Sequence, residues 1–143
     1  MVEVKCSARE KEEKMLKEMA VCVVIFISIF TFDFKTQEYT EKTIEDITRK
    51  LETLREELIK EDKDNEKLLK DMEKIYNEWL GYHEKLAYFI EHDELEKAET
   101  DMVALKGSVN VKEYEMAVSE LDKSVYVLQH IEDKYKFELV NIF

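Results

Sequence analysis

Apolar positions after residue 40 recur every three or four residues, which is the period of an amphipathic helix. The first stripe steps by 3, 4, 3 and 4 and consists of Ile44, Ile47, Leu51, Leu54 and Leu58. The polar cluster Glu61–Asn65 follows this stripe and predicts the end of the helix. Asp64 or Asn65 is then expected to cap the start of the next helix.

Three further helices are predicted beyond this cluster. The second runs from about Glu66 to Ile90 and the third from about Asp93 to Lys106. Gly107 suits the left-handed position that ends a helix, and Asn110–Glu113 has the form of a capping box that opens the fourth helix. The tail Tyr135–Phe143 is apolar at alternate positions, and we expect it to pack back on the other helices.

The spacing of these helices indicates the fold class. Short connections favour antiparallel neighbours, and the absence of proline together with only two glycines excludes a turn-rich β-sandwich or barrel. The sequence therefore predicts an all-α protein, with an N-terminal transmembrane helix followed by a three- to four-helix antiparallel bundle. The sequence leaves open whether the transmembrane helix and the first amphipathic helix are two separate helices or one continuous helix.

The transmembrane prediction rests on an uncharged run of 14 residues, Met19–Phe32, which lies between Glu18 and Asp33. As a helix this run spans about 21 Å, which is short of the roughly 30 Å hydrocarbon core of a bilayer. Extending the span to Leu16–Phe34 gives about 28 Å and places the charged residues at its ends, where they cost little. The sequence therefore predicts a single transmembrane helix over residues 19–34.

Two other interpretations of the run compete with an uncleaved anchor. A cleaved signal peptide needs small residues just before the cut, and the stretch Phe30–Lys35 offers none. A buried strand or helix of a soluble core is favoured by the Val, Ile and Phe content, but a lone strand lacks a pairing partner. Five Lys and Arg residues precede the run and four lie in the comparable stretch after it, residues 33–50, a weak bias for a cytoplasmic N-terminal side.

The charge of the chain divides unevenly about this run. Residues 35–143 carry 17 Lys and Arg against 28 Asp and Glu, which accounts for most of the formal net charge of −12. So acidic a domain argues against binding of nucleic acid. The expected organisation is a charged tail over residues 1–18, the anchor over 19–34 and an acidic helical domain over 35–143. Met15 and Met19 are alternative start sites, so residues 1–14 are a candidate annotation extension.

The sequence contains no recognisable catalytic constellation. His83 and His92 are nine residues apart, which is half a turn out of phase on one helix, so we expect no local pairing between them. No nucleophile elbow, phosphate loop or di-iron motif is present. His92 fits a helix end, where imidazole bonds terminal carbonyls. The prediction is therefore that the chain is not an enzyme and needs no cofactor.

Metal binding is only weakly indicated. Asp62–Glu73 has acidic residues at several positions of a calcium loop, but Lys67 occupies the position of the obligatory glycine. The acidic stretch Glu91–Asp101 offers either a solvated helix face or a weak site for divalent cations or a basic partner. We therefore predict no defined metal site.

Several residues resemble one protein family. The sequence resembles the pattern of domain-of-unknown-function family 4363 at four places. These are Trp79, the run His92–Leu95, the pair Leu105–Lys106 and the ending Asn141–Phe143. The resemblance covers roughly Met15 to Phe143 and departs from the family at Asp93, where glutamate is usual. It implies a single-span membrane protein of Gram-positive bacteria with a helical domain, and it implies no activity.

Together these features predict a membrane-anchored helical interaction or structural module. We expect an extracytoplasmic domain at the cell membrane, accessory to a membrane-protein partner, with membrane lipid around the anchor and the oligomeric state open. The alternative is a soluble or peripheral helical protein with weak divalent-cation binding. The aromatic residues around Trp79 fit either the core or an exposed docking patch. The candidate partner-binding residues are Trp79, Tyr82, His92, Glu94, Asn141 and Phe143.

Overall fold

A computed structural model describes the backbone of residues 2–137 and the side chains of residues 11–136. The described backbone forms four α-helices and no strand. Their bounds are α1, Val2–Leu58; α2, Asn65–Leu86; α3, His92–Asn110; and α4, Tyr114–Phe137. The all-α prediction is confirmed, and the transmembrane segment and the first amphipathic stripe belong to one continuous helix, α1.

The chain divides into two compact units, Met1–Thr36 and Gln37–Phe143. In the first unit, the described large apolar side chains are all exposed. This part of α1 is long and apolar enough to cross a membrane, and none of its most apolar stretch is buried by protein. The alternative of a buried core strand is wrong, because the segment is helical and makes no core.

The second unit is a four-helix bundle whose neighbouring helices run antiparallel. On α1, Lys50 contacts Glu78 of α2 at 2.5 Å, and Arg55 contacts Asp122 of α4 at 2.9 Å. On the other side, Lys106 of α3 contacts Glu73 of α2 at 3.3 Å. Finally, Lys134 near the end of α4 contacts Glu94 near the start of α3 at 2.8 Å. These cross-contacts close the ring of four helices in up-down-up-down order.

The core of the bundle is built by the predicted stripes. Every member of the first stripe is buried, so the half of α1 from Gln37 onward faces the other three helices. Trp79 of α2 is the largest of the fully buried side chains, and apolar residues of all four helices surround it in one cluster. Such burial stabilises a bundle by roughly 25 cal/mol per Å² of apolar surface removed from water.

Helix ends follow the sequence prediction at one junction and depart from it at another. Asp64 caps α2, and its Oδ1 accepts the backbone N–H of Lys67 at 3.1 Å, as predicted. The predicted end of α3 at Gly107 is wrong, since α3 continues to Asn110. The predicted capping box at Asn110–Glu113 is also wrong, because Asn110 ends one helix and α4 begins only at Tyr114.

Candidate functional site

The tight connection between α2 and α3 positions the candidate site. After Leu86 the chain makes one further turn, in which the backbone N–H of Ile90 donates to the Leu86 carbonyl at 2.9 Å. The backbone N–H of Glu91 then donates to the hydroxyl of Tyr135 on α4 at 2.9 Å, which holds the reversal against the bundle. As a result, the last turn of α2 and the first turn of α3 lie side by side.

Three rings stack across this connection. The rings of Trp79 and His83 are 6.1 Å apart with planes 20° from parallel, and the rings of His83 and His92 are 6.0 Å apart at the same angle. We call Trp79, His83 and His92 the aromatic stack. The expectation that the two histidines do not pair is wrong, because it assumed a single helix through both, whereas the chain reverses between them.

Two glutamates of α3 accompany the histidines. Glu99 Oε2 lies 3.5 Å from His83 Nδ1, and Glu96 Oε1 lies 3.0 Å from His92 Nε2. The other oxygen of Glu99 accepts the hydroxyl of Tyr76 at 3.3 Å. Burial raises the pKa of the Tyr76 hydroxyl, and the neighbouring Glu99 carboxylate raises it further. Tyr76 therefore stays a neutral donor that fixes the position of Glu99.

These side chains line an open groove between α2 and α3. Its walls are His83, His92, Glu96, Glu99, Thr100 and Val103. Within the described residues, His83 Nε2 is buried without a hydrogen-bond partner, so the other ring nitrogen, Nδ1, is the one that faces a partner. Two imidazoles and two carboxylates line this groove, and such groups can bind a cation or exchange protons.

Comparison with protein-family models gives a match that begins just before the bundle. The model of the Domain of unknown function (DUF4363) matches residues 34–142. The chain belongs to the DUF4363 family. The predicted family resemblance is thereby confirmed, while the single-span, Gram-positive description of its members stays an expectation. Neither the curated proteins nor the solved structures gave a match.

The DUF4363 domain places the predicted partner-binding residues in different environments. Trp79 is fully buried, so its side chain offers no docking surface and serves the core. Tyr82 is partly buried against the core, and His92 is exposed at the edge of the groove. Asn141 and Phe143 lie outside the described residues. Partner binding by Tyr82 and His92 stays a prediction.

Glu94 has a structural role in the DUF4363 domain. Its Oε1 accepts Lys134 Nζ at 2.8 Å, and Glu91 contacts the same ammonium at 3.1 Å. These hydrogen bonds hold the pKa of the Lys134 ammonium well above its ordinary value. Glu94 therefore ties α3 to α4 next to the aromatic stack, and any contact of this residue with a partner has to share its carboxylate with Lys134.

Sequence reasoning about the DUF4363 domain offered Glu96 and Glu99 only as part of the acidic stretch Glu91–Asp101 and did not group them with His83. Their signal was present in part, because His92, Glu96 and Glu99 are spaced i, i+4 and i+7 and so share one face of α3. The contribution of His83 could not be read from the sequence, since it depends on where α2 ends. In the calcium-loop candidate Asp62–Glu73, the backbone is helical from Asn65 onward, as a charged helix start requires.

A second acidic cluster of the DUF4363 domain is compensated by a lysine. Carboxylate oxygens of Glu41, Glu45 and Glu132 lie within 4.8 Å of one another. Lys136 Nζ contacts Glu41 at 3.0 Å and also contacts Glu132. These contacts hold the pKa of the Lys136 ammonium above its ordinary value, with the hydrogen bond to Glu132 as the largest cause. The cluster is therefore an ion-pair network that joins α1 to α4.

Proposed function

We propose that this chain is a single-pass membrane protein whose DUF4363 domain acts outside the cytoplasm as an interaction module, accessory to another membrane protein. The proposal rests on the exposed apolar helix of the first unit. Its run Met19–Phe32 contains no charge, is helical throughout and exposes its large apolar side chains. Soluble proteins rarely expose contiguous apolar patches larger than a few hundred Å².

The polar groups inside the run support placement in lipid. The hydroxyl of Ser28 donates to the carbonyl of Val24 at 2.8 Å, and the hydroxyl of Thr31 donates to the carbonyl of Ile27 at 2.7 Å. Hydrocarbon offers no hydrogen-bond partners, so a spanning helix has to satisfy its polar groups internally. These two side chains do so within the helix.

Features of the bundle favour an interaction role over catalysis. The aromatic stack spans the α2–α3 connection and ion pairs such as Lys50–Glu78 and Arg55–Asp122 join neighbouring helices, so these groups hold the bundle together. Tyr88 and Tyr126 are large aromatic side chains that the bundle leaves exposed. Tyrosine is enriched at protein interfaces because it gives apolar contact area together with a hydrogen-bonding tip. The slight excess of Lys and Arg in residues 1–18 over residues 33–50, five against four, favours an extracytoplasmic bundle.

A matched pair of substitutions tests the membrane placement. Phe26 and Phe34 are equally exposed, at 62% and 63%, but Phe26 lies at the centre of the apolar run and Phe34 lies two residues beyond its end. A lysine at the centre of a spanning helix costs about 3 kcal/mol, whereas a lysine at the end reaches the interface. We expect Phe26→Lys to lower the membrane-bound fraction after alkaline carbonate extraction and Phe34→Lys to leave it near the wild-type value.

Two outcomes contradict the membrane placement. One is a wild-type chain that remains in the supernatant, as a soluble or peripheral binding protein would. The other is an equal membrane-bound fraction for Phe26→Lys and Phe34→Lys. Lysine at these two positions differs in cost only if the apolar run lies in a membrane.

A further inference from the structure

We infer that the groove between α2 and α3 binds one divalent ion of the zinc type through His83, His92, Glu96 and Glu99. The site lies wholly within the DUF4363 domain, so the inference does not depend on the membrane placement. Two imidazoles with two carboxylates are a donor set that suits Zn²⁺ and its transition-metal neighbours, whereas Ca²⁺ and Mg²⁺ prefer oxygen ligands alone.

The backbone presents these donors along one line. His92, Glu96 and Glu99 follow each other at i, i+4 and i+7 on α3, so their side chains emerge on the same face. His83, in the last turn of α2, faces this line through its contact with Glu99. Three ligands from one helix and one from its neighbour tie two helices together at a single ion.

The distances within each histidine–glutamate pair fit a shared ion. His83 Nδ1 and Glu99 Oε2 are 3.5 Å apart, and His92 Nε2 and Glu96 Oε1 are 3.0 Å apart. Two donor atoms bound to one tetrahedral zinc at about 2.1 Å are separated by roughly 3.3 Å. Each pair alone has a separation that two ligands of one ion can adopt, but among the described residues no three of these four donor atoms lie within 4.8 Å of one another, so the two pairs have to approach each other to share an ion.

The two pairs differ in freedom, which indicates how the site closes. The inner pair, His83 and Glu99, is held in place, with side chains only 17% and 30% exposed. The outer pair, His92 and Glu96, is 65% and 61% exposed, so its rotamers can change at little cost. Closing requires the outer pair to turn towards the inner one across the 6.0 Å that separates the two imidazoles.

Neighbouring groups hold the inner pair in position, although among the described residues His83 Nε2 has no hydrogen-bond partner. The Tyr76 hydroxyl donates to the second oxygen of Glu99 at 3.3 Å, and Trp79 stacks on the face of the His83 ring. Such outer contacts orient ligands and raise metal affinity. The cluster of Glu41, Glu45 and Glu132 has no histidine and is bridged by Lys136, so it serves here as the comparison site.

Calorimetry on the full chain tests the inference. The tag-free protein in detergent micelles near neutral pH is titrated with Zn²⁺, and then again in the presence of excess Ca²⁺. We expect saturable binding of one ion per chain that Ca²⁺ does not displace. Binding should weaken on acidification, because protons compete for the imidazole nitrogens.

Substitutions of the exposed pair locate the ion without disturbing the core. His92→Ala and Glu96→Gln are each expected to weaken Zn²⁺ binding by at least about tenfold. The matched controls are His130→Ala, which removes an exposed histidine of α4 outside the groove, and Glu45→Gln, which alters the comparison site. Both controls should bind Zn²⁺ as the wild type does. Circular dichroism of each variant verifies that the helices are intact.

Three results overturn the inference: no saturable binding by the wild type at millimolar Zn²⁺, unchanged binding in both His92→Ala and Glu96→Gln, or an equal loss in either control. Each of these results leaves the membrane placement untouched, and failure of the carbonate extraction test leaves the zinc site untouched.

Discussion

Lys112, two residues after the end of α3, has a backbone conformation that lysine seldom adopts. Its φ is 62°, in the left-handed region. The Lys112 N–H donates to the Val109 carbonyl at 3.1 Å, and the Glu113 N–H donates to the Ser108 carbonyl at 2.9 Å. This pair of bonds is the Schellman motif, which normally uses glycine at the Lys112 position because a side chain is strained there. The motif satisfies two carbonyls that the end of α3 would otherwise leave unpaired.

Replacing Lys112 by glycine should therefore stabilise the bundle. Relief of the left-handed strain is expected to raise the free energy of unfolding by up to about 1 kcal/mol for Lys112→Gly. Lys112→Ala keeps a Cβ at the same φ and should give no gain. Urea unfolding followed by the fluorescence of Trp79, the one tryptophan of the chain, measures both variants. Equal stabilities of Lys112→Gly and Lys112→Ala would contradict this explanation.

The same residue explains one error of sequence-based prediction. Local chemistry identified the Asp64 cap, because a side-chain oxygen that precedes a helix has one favoured role. Local chemistry misplaced the end of α3, because it assigned the left-handed position to Gly107. Gly107 lies inside the helix, with nothing within 4 Å of where its Cβ would be. The residue in the left-handed conformation is instead Lys112, and conformational propensities do not favour lysine there.

At the scale of elements, α1 has two different surroundings along one helix. Its apolar residues before Asp33 occur without helical periodicity and are exposed, whereas those from Ile44 to Leu58 form one stripe and are buried. The sequence predicts this difference, since a helix that is apolar on all sides needs a different environment from an amphipathic one. The groove was not predictable in the same way. It depends on the turn after Leu86, which three-dimensional packing determines.

The buried stripe of α1 should contribute strongly to the stability of the bundle. Ile47 is fully buried, and Ile47→Ala leaves a cavity in the core that costs about 3 kcal/mol. Glu52→Ala, an exposed change one turn further along α1, should alter stability by less than about 0.5 kcal/mol. Urea unfolding followed by Trp79 fluorescence gives both values. A small effect of Ile47→Ala would show that this half of α1 is not part of the cooperative bundle.

At the scale of the whole molecule, the two units have opposite chemistry. Residues 35–143 carry nearly all of the excess negative charge, and the apolar run carries none. The chain as a whole has a mean hydropathy of −0.46, a value that conceals the run. The proposed function depends on this separation, with an anchor in lipid and an acidic bundle in water outside the cytoplasm. The family match to residues 34–142 covers the bundle and leaves most of the run outside it.

Thiol labelling of intact cells tests this central claim most directly. Cys22 lies in the apolar run, and Ser119 is an exposed residue of α4. One variant, Cys6→Ser, retains Cys22 alone; a second combines Cys6→Ser, Cys22→Ser and Ser119→Cys. A membrane-impermeant maleimide should label Ser119→Cys in intact cells, and it should label Cys22 only after the membrane has been dissolved and the chain denatured. Labelling of Cys22 in intact membranes, or labelling of Ser119→Cys only after lysis, would contradict the account.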